Sequence, residues 1–218
     1  MSSVSMKVRA EYNRIAPLFS LGSRIIFPHR DRLIAEQVIP RLNLKGGETI
    51  VDLCCGAGHN FPFLLSVIGP KGRLIGVDLA EGMLAKAQSR IMAKHWDNVT
   101  LILGDAGDLR FLLPHSIDVI FCSLALSIIP DRVHVLESMK KLLKPSGQLV
   151  VVDWKPFSGP LRLLNPLIYL SMLPLPNTNA AIFDRSSQSP ELVRKVFPKV
   201  AYDEYYSGSL YVVIASTQ

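Results

Sequence analysis

Thr49-Ile50-Val51-Asp52-Leu53-Cys54-Cys55-Gly56-Ala57-Gly58-His59-Asn60 is the stretch that decides the fold. Its first five residues form an apolar, β-branched run that reads as a buried strand. The run then breaks into small residues. A helix is expected next, with Asn60 as N-cap and Pro62 in the first turn, where no backbone donor is lost. A strand, a glycine turn and a helix N-terminus let a ligand approach bare backbone amides.

Two further runs repeat the pattern. Arg73-Leu74-Ile75-Gly76-Val77-Asp78 ends in a carboxylate at the distance expected of one βαβ unit with a ribose-binding acid. Val99-Thr100-Leu101-Ile102-Leu103 leads into Gly104-Asp105-Ala106. Asp52, Asp78 and Asp105 therefore fall at the edge where open α/β sheets bind ligands. A dinucleotide-binding unit is the competing reading, but it wants a third glycine where this chain has Phe61.

Asp52 to Gly58, then Gly76-Val-Asp-Leu-Ala-Glu-Gly-Met83, Gly104-Asp-Ala106 and Leu143-Lys-Pro-Ser-Gly147 resemble the ordered signature blocks of class I S-adenosylmethionine-dependent methyltransferases. The nearest likeness is to bacterial phospholipid N-methyltransferases and quinone-biosynthesis methyltransferases. One position departs: the family's first glycine is Cys54 here. The resemblance implies an α/β, Rossmann-like, doubly wound sheet of seven mostly parallel strands. A C-terminal antiparallel hairpin closes it and an N-terminal helical cover lies over it. Residues 1–44 would be the cover and 45–218 the methyltransferase domain, with a helical insertion at about 157–190.

The resemblance implies S-adenosyl-L-methionine as cofactor. Asp78 would hold the ribose hydroxyls, with Gly56 and Gly58 offering bare backbone. Asp105 and Ala106 would meet the adenine, bordered by Met83. Ser123 would place the methionine end, and Asp52 would orient the loop or reach the amino group through water. Tyr12, Cys54 and Leu79 complete the set, Tyr12 because quinone- and lipid-modifying relatives carry a Tyr-centred element in their cover. As an alternative, Tyr12 is an ordinary interface tyrosine.

The chain has 218 residues and a net charge of +6. Residues 1–45 hold eight Lys and Arg against three Asp and Glu, nearly all of the excess. Large apolar residues interleave with these charges. Amphipathic helices are expected before Pro17, over 22–27 and over 29–39. They either face an anionic membrane or pack on the domain with solvated basic faces. Nucleic acid is disfavoured, because no separate basic module exists and few aromatics interleave with the charges. Met1 to Tyr12 shows no apolar secretion segment, so a cytoplasmic site, or the inner membrane face, is expected. Cys54, Cys55 and Cys122 lack metal spacing and suggest buried filler.

After a fourth strand ending at Cys122, the loop Ser123-Leu-Ala-Leu-Ser-Ile-Ile-Pro130 lacks the Asn/Asp-Pro-Pro-aromatic run that holds planar amino groups. It suits an apolar acceptor. Asp131 would cap a helix with Val135, Leu136, Met139, Leu142 and Leu143 on its inner face. A fifth strand runs from Gln148 to Trp154. The leucine- and proline-rich run 157–176 is either a core helix or an acceptor-pocket wall, with Tyr169, Asp184 and Arg185 as nearby polar groups. Residues 199–206 and 209–215 around Ser207-Gly208 read as a hairpin.

Three functions are open. N-methylation of a phospholipid amine ranks first, carried by the basic-apolar N-terminus and by the likeness of residues 123–131 to lipid N-methyltransferases. C-methylation of a prenylated quinone precursor is second. A non-catalytic cofactor-binding protein is third. The catalytic base is unassigned among His29, Tyr12 and Asp184.

Overall fold

The computed structural model describes residues 3–26, 29–172 and 180–218. Its described side chains exclude 18–26, 168, 169, 171, 172, 180 and 181. Five apolar runs become β1 (Thr49–Leu53), β2 (Arg73–Asp78), β3 (Val99–Leu103), β4 (Ile117–Ser123) and β5 (Leu143–Trp154). The hairpin is β6 (Lys199–Tyr205) and β7 (Leu210–Ser216). The sheet order is β3-β2-β1-β4-β5-β7-β6. Only β7 runs against the rest.

Alternation along each strand feeds two cores. Val51, Leu53, Ile120 and Cys122 join the layer that includes Val135, Leu136 and Met139. Ile50, Val119, Phe121, Val150 and Val152 face Leu33, Ile34, Phe61, Leu64 and Ile68. Chain order reverses between β1 and β4, so their carboxyl ends leave a crevice, the place where doubly wound sheets bind ligands.

The helices between strands match their sequence signals. The helix α3 (Phe61–Ile68) has Pro62 in its first turn. In α4 (Glu81–Lys94), Met83, Ala87 and Ile91 are buried. The helix α5 (Arg132–Leu142) is capped by Asp131, whose side chain accepts from the backbone N–H of His134 at 3.1 Å. Gly147 sits where an added Cβ would come within 3.0 Å of three backbone atoms, so close approach rather than an unusual φ demands glycine there.

The N-terminus differs from expectation. Ser3–Ile26 form one helix, α1, which runs through Pro17 instead of breaking there. A helix-interior proline costs ~3 kcal/mol. Docking of the preceding turns on α4 offsets that cost. The Nε of Arg9 donates to Glu81 at 2.9 Å and the Nδ2 of Asn13 to the same carboxylate at 3.0 Å. The Gly82 N–H donates back to Asn13 Oδ1 at 2.8 Å. A Cβ at Gly82 would lie 3.2 Å from Ala16 Cβ and from Asn13 Oδ1, so the bare glycine lets α1 sit close against α4. The expected 29–39 helix is an unbroken helical stretch over 30–41. It starts as α2 (Arg30–Leu33), widens to a π-turn at Ile34–Val38 and tightens to a 3-10 turn at Ile39–Arg41. Arg41 ties it to Asp203 of the hairpin at 2.8 Å.

The insertion holds a 3-10 stretch (Gly159–Leu164), α6 (Asn165–Met172) and α7 (Ala180–Val196). Its described leucines do not form a core helix. Leu161, Leu163, Leu164, Leu167 and Leu170 are all exposed, Leu163 by 80%. Among the described residues, no helix is long and apolar enough to cross a membrane.

The α1–α4 contact makes a separable prediction. Glu81→Ala should raise amide exchange over residues 3–17 at least tenfold, because three hydrogen bonds meet at Glu81 and its neighbour Gly82. The Tm should fall by only roughly 2–4 °C, since these groups are partly solvated. Unchanged exchange would show that apolar contact alone holds α1.

Candidate functional site

A cavity opens at the crevice beside β1. Tyr12, Arg30, Cys54, Gly56, Asp78 and Leu79 line one part of it. Met83, Asp105, Ala106 and Ser123 line another, and Leu124, Ala125, Ile128, Ile129 and Pro130 form an apolar side. The structure thus gathers nine of the eleven residues expected from sequence. Asp52 and Gly58 lie outside the lining.

The floor is built by the turn after β1. Gly56 has φ +54°, and its N–H donates to Asp78 Oδ2 at 2.7 Å. The other Asp78 oxygen accepts from the Ala80 N–H at 2.9 Å. Burial pushes the Asp78 carboxyl above its usual range, and these backbone donors oppose the shift. Cys54, standing where the resemblance expects glycine, has φ +58°. That left-handed conformation costs a side-chain-bearing residue roughly 1–2 kcal/mol. Gly58, at φ +71°, serves a different neighbour than expected: an added Cβ would meet the Phe61 ring at 2.7 Å.

Asp52 is fully buried on the face of the sheet covered by α2 and α3. Both its oxygens accept from Asn60 Nδ2, at 3.0 and 3.1 Å. Asn60 holds the N-cap position of α3 but makes no side-chain cap, because its amide is committed to Asp52 and Arg30. Burial raises the Asp52 carboxyl to about 7, against Asn60 and Arg30, which lower it. Arg30 donates to Asn60 Oδ1, and its Nε donates to Ser123 Oγ at 3.2 Å. Sequence reading placed Arg30 among eight basic residues of amphipathic helices. Its burial, at 7% exposure, had no sequence signal. His59 is a second lining residue that the sequence did not single out.

Of the three base candidates, only Tyr12 reaches the cavity. Burial, then the nearby Asp78 charge, pushes its hydroxyl well up, so it stays protonated. His29 is exposed and stacks on Tyr206 with centroids 4.7 Å apart. Asp184 is exposed on α7. Arg185 donates to the carbonyls of Ile129 and Pro130, the second at 3.1 Å, so it braces the apolar loop. The side chain of Tyr169 lies outside the described residues.

Beneath that loop Asp153, also absent from the sequence reading, accepts from the Trp154 N–H at 2.9 Å and the Ser127 N–H at 3.3 Å. Burial pushes it to about 7. The three thiols are free, and burial raises each of them, keeping them protonated. The strands that precede Cys54 and hold Cys122 are neighbours, with Leu53 paired to Cys122. Among the described residues, no cluster of three His, Cys, Asp or Glu side chains has metal-binding geometry.

Residues 44–201 match the model of a family described as a methyltransferase domain. The demethylmenaquinone methyltransferase of Geobacillus kaustophilus is 30% identical over 147 residues, 67% of this chain and 59% of that protein. Its counterpart from Oceanobacillus iheyensis is 28% identical over 152 residues, 70% and 63% of the two chains. The chain therefore spans about three fifths of the length of these curated relatives. A SAM-dependent methyltransferase from Aquifex aeolicus superposes with a TM-score of 0.67 at 20% identity, covering 91% of this chain and 98% of the other. Haemonchus contortus phosphoethanolamine N-methyltransferase 2, solved with S-adenosyl-L-methionine, gives 0.66 at 20%, covering 90% and 46%. These structural likenesses concern the fold.

The two buried carboxyls set a pH dependence. Asp52 and Asp153 both rise from 3.8 to about 7 on folding, so between those values the folded state binds protons that the unfolded chain has released. Their contribution is complete below about 4 and is lost as pH rises through about 7. Thermal melts should show Tm falling from pH 5 to pH 8, and Asp153→Asn should flatten that fall. An unchanged slope in the variant would exclude Asp153 as a source.

Proposed function

This chain belongs to the methyltransferase-domain family matched over residues 44–201, and we propose that it transfers a methyl group from S-adenosyl-L-methionine to an apolar, ring-bearing acceptor. The observation that carries the reading is the Asp78 carboxylate, locked by the Gly56 and Ala80 amides at the cavity floor. Backbone N–H groups of Gly56 and Ala80 hold one oxygen each, and a carboxylate has about four acceptor sites, so capacity remains for ribose hydroxyls. Leu79, Met83 and Ala106 line the same cavity and suit a flat, apolar base, with Asp105 beside them. The donor set therefore fits the cofactor. Ser5, Val8, Arg9 and Tyr12 of α1 line this cavity as well, so the first helix covers part of it. On this reading residues 1–44 are a cover, 45–218 the transferase domain and about 157–190 its insertion.

The cofactor supplies an electrophilic methyl carbon on a cationic sulfur. This chain's own contribution is placement. Aligning nucleophile and methyl carbon supplies up to ~7–11 kcal/mol. Asp78 and the Gly56 turn fix the nucleoside, Tyr12 roofs it, and residues 124–130, braced by Arg185, exclude water on the acceptor side. The curated relatives, named for demethylmenaquinone, move the weight from the phospholipid amine to carbon methylation of a prenylated quinone precursor. Both acceptors are oily, and the exposed leucines of the insertion, with the basic N-terminal region, suit contact with an anionic membrane. The likeness of residues 123–131 to lipid N-methyltransferases supports the amine as second reading.

Full-length protein incubated with methyl-labelled cofactor should label a demethylated quinol in vesicles, identified by product mass. Labelled phosphatidylethanolamine instead would establish the second reading. Binding of S-adenosylhomocysteine without transfer to either would point to the non-catalytic alternative. Asp78→Ala should weaken S-adenosylhomocysteine at least tenfold by calorimetry with the circular dichroism retained. Equal affinity would remove Asp78 from the cofactor site.

A further inference from the structure

Two arginines stand at the edge of the acceptor-side wall without a counter-ion. Arg132 opens α5, two residues beyond the apolar loop, and Arg185 lies on α7. Both are half-buried. Arg185 turns its Nη2 on the carbonyls of Ile129 and Pro130, and those two residues line the cavity. Arg132 reaches back the other way. Its Nη1 donates to the Arg185 carbonyl and, at 3.2 Å, to Ser189 Oγ, and its Nη2 donates to Gln188 Oε1 at 3.4 Å. Every one of these acceptors is neutral. Among the described residues neither guanidinium enters an ion pair. Asp131, next to Arg132 in sequence, spends an oxygen on the His134 N–H that it caps.

Bracing the loop does not by itself call for two charges. A neutral amide side chain donates to carbonyls as well, and it brings no repulsion. Here burial, then the neighbouring Arg185 charge, lowers Arg132, and burial lowers Arg185. The carbonyl contacts fix both guanidinium planes, yet they leave the Nε of each and the Nη1 of Arg185 without a partner among the described residues. Fixed, partly solvated N–H groups on two uncompensated guanidiniums are arranged to receive an anion.

The surroundings choose the anion. One carboxylate matches one guanidinium fork, whereas a phosphate has oxygens enough to bridge two. Beside the pair lie the apolar residues 124–130, and the exposed leucines of the insertion precede α7 in the chain. A phosphate carried on an apolar body matches both features.

We propose that Arg132 and Arg185 form a phosphate subsite at the edge of the acceptor side, where they hold the head-group phosphate of a phospholipid. This rests on reading residues 124–130 as the acceptor wall, and it adds an anionic requirement to that wall. The same phosphate serves either acceptor. In the amine reading it belongs to the acceptor, and in the quinol reading it belongs to the lipid surface that delivers it.

Calorimetric titration of the full chain at fixed ionic strength tests the subsite with three probes: dihexanoylphosphatidylglycerol, dihexanoylglycerol, which lacks the phosphate, and inorganic phosphate. The wild-type protein should bind the phospholipid at least roughly tenfold more tightly than either of the others. Arg185→Gln, which keeps an amide donor for the loop carbonyls, should weaken the phospholipid about tenfold and dihexanoylglycerol less than about threefold. Arg132→Gln should act in the same direction, and Arg185→Lys should retain part of the preference. Equal weakening of both lipids by Arg185→Gln would make the residue a loop brace and overturn the proposal. A wild-type protein indifferent to the phosphate overturns it without any variant having to fold. Inorganic phosphate binding as tightly as the phospholipid would overturn the lipid assignment in favour of a free anion. The cofactor reading is judged separately, by S-adenosylhomocysteine titrated into the wild-type protein, because the phosphate preference is read with no nucleoside present.

Discussion

The hydrogen bond from the Gly56 N–H to Asp78 Oδ2, 2.7 Å long, ties the turn after β1 to the end of β2. Two neighbouring parallel strands are thereby locked at their carboxyl ends, and the cavity takes its floor from that lock. The bond needs Gly56 in a left-handed conformation and a carboxylate in register with it, which the pairing of Leu53 with Val77 provides. Its geometry also explains why a strained Cys54 is tolerated. The turn is held from both sides, so roughly 1–2 kcal/mol of local strain is over-determined by its surroundings.

Acids dominate the ligand edge. Asp52, Asp78 and Asp153 are withdrawn from water, and burial pushes each carboxyl upward. Such an arrangement costs stability. It is the electrostatic setting that favours a ligand carrying net positive charge. Arg30 is the exception at this edge, the one buried Lys or Arg among the described side chains, and it is paired with Asp31 at 3.1 Å.

The periphery follows different physics. The first helix survives Pro17 because contacts with α4 act on the residues before it, and propensity is a weak prior beside tertiary docking. The insertion shows the reverse case. Its leucines read as core by composition, yet the described ones face outward, because the sheet faces are already covered by α2 to α5 and α7. An apolar run has to find an unoccupied surface before it can become core.

The strands, their order of appearance, the carboxylates at their ends and the capping of α5 were legible in the chain itself, because period-two apolar runs and turn residues are local signals. The nine cavity-lining residues came instead from the resemblance of the motif blocks, and all but Tyr12 lie at or just after a strand end or in the first turn of α4. Other features required the folded arrangement. Nothing local marks Arg30 as buried, commits Asn60 to Asp52 rather than to its own helix, or turns Gly58 toward Phe61. Asp153 and Arg185 gain their partners from a loop more than twenty residues away in sequence. Periodicity tells a chain which of its residues leave water. Which polar groups then meet is decided by the crossing of distant segments, and that information exists only once the sheet has closed.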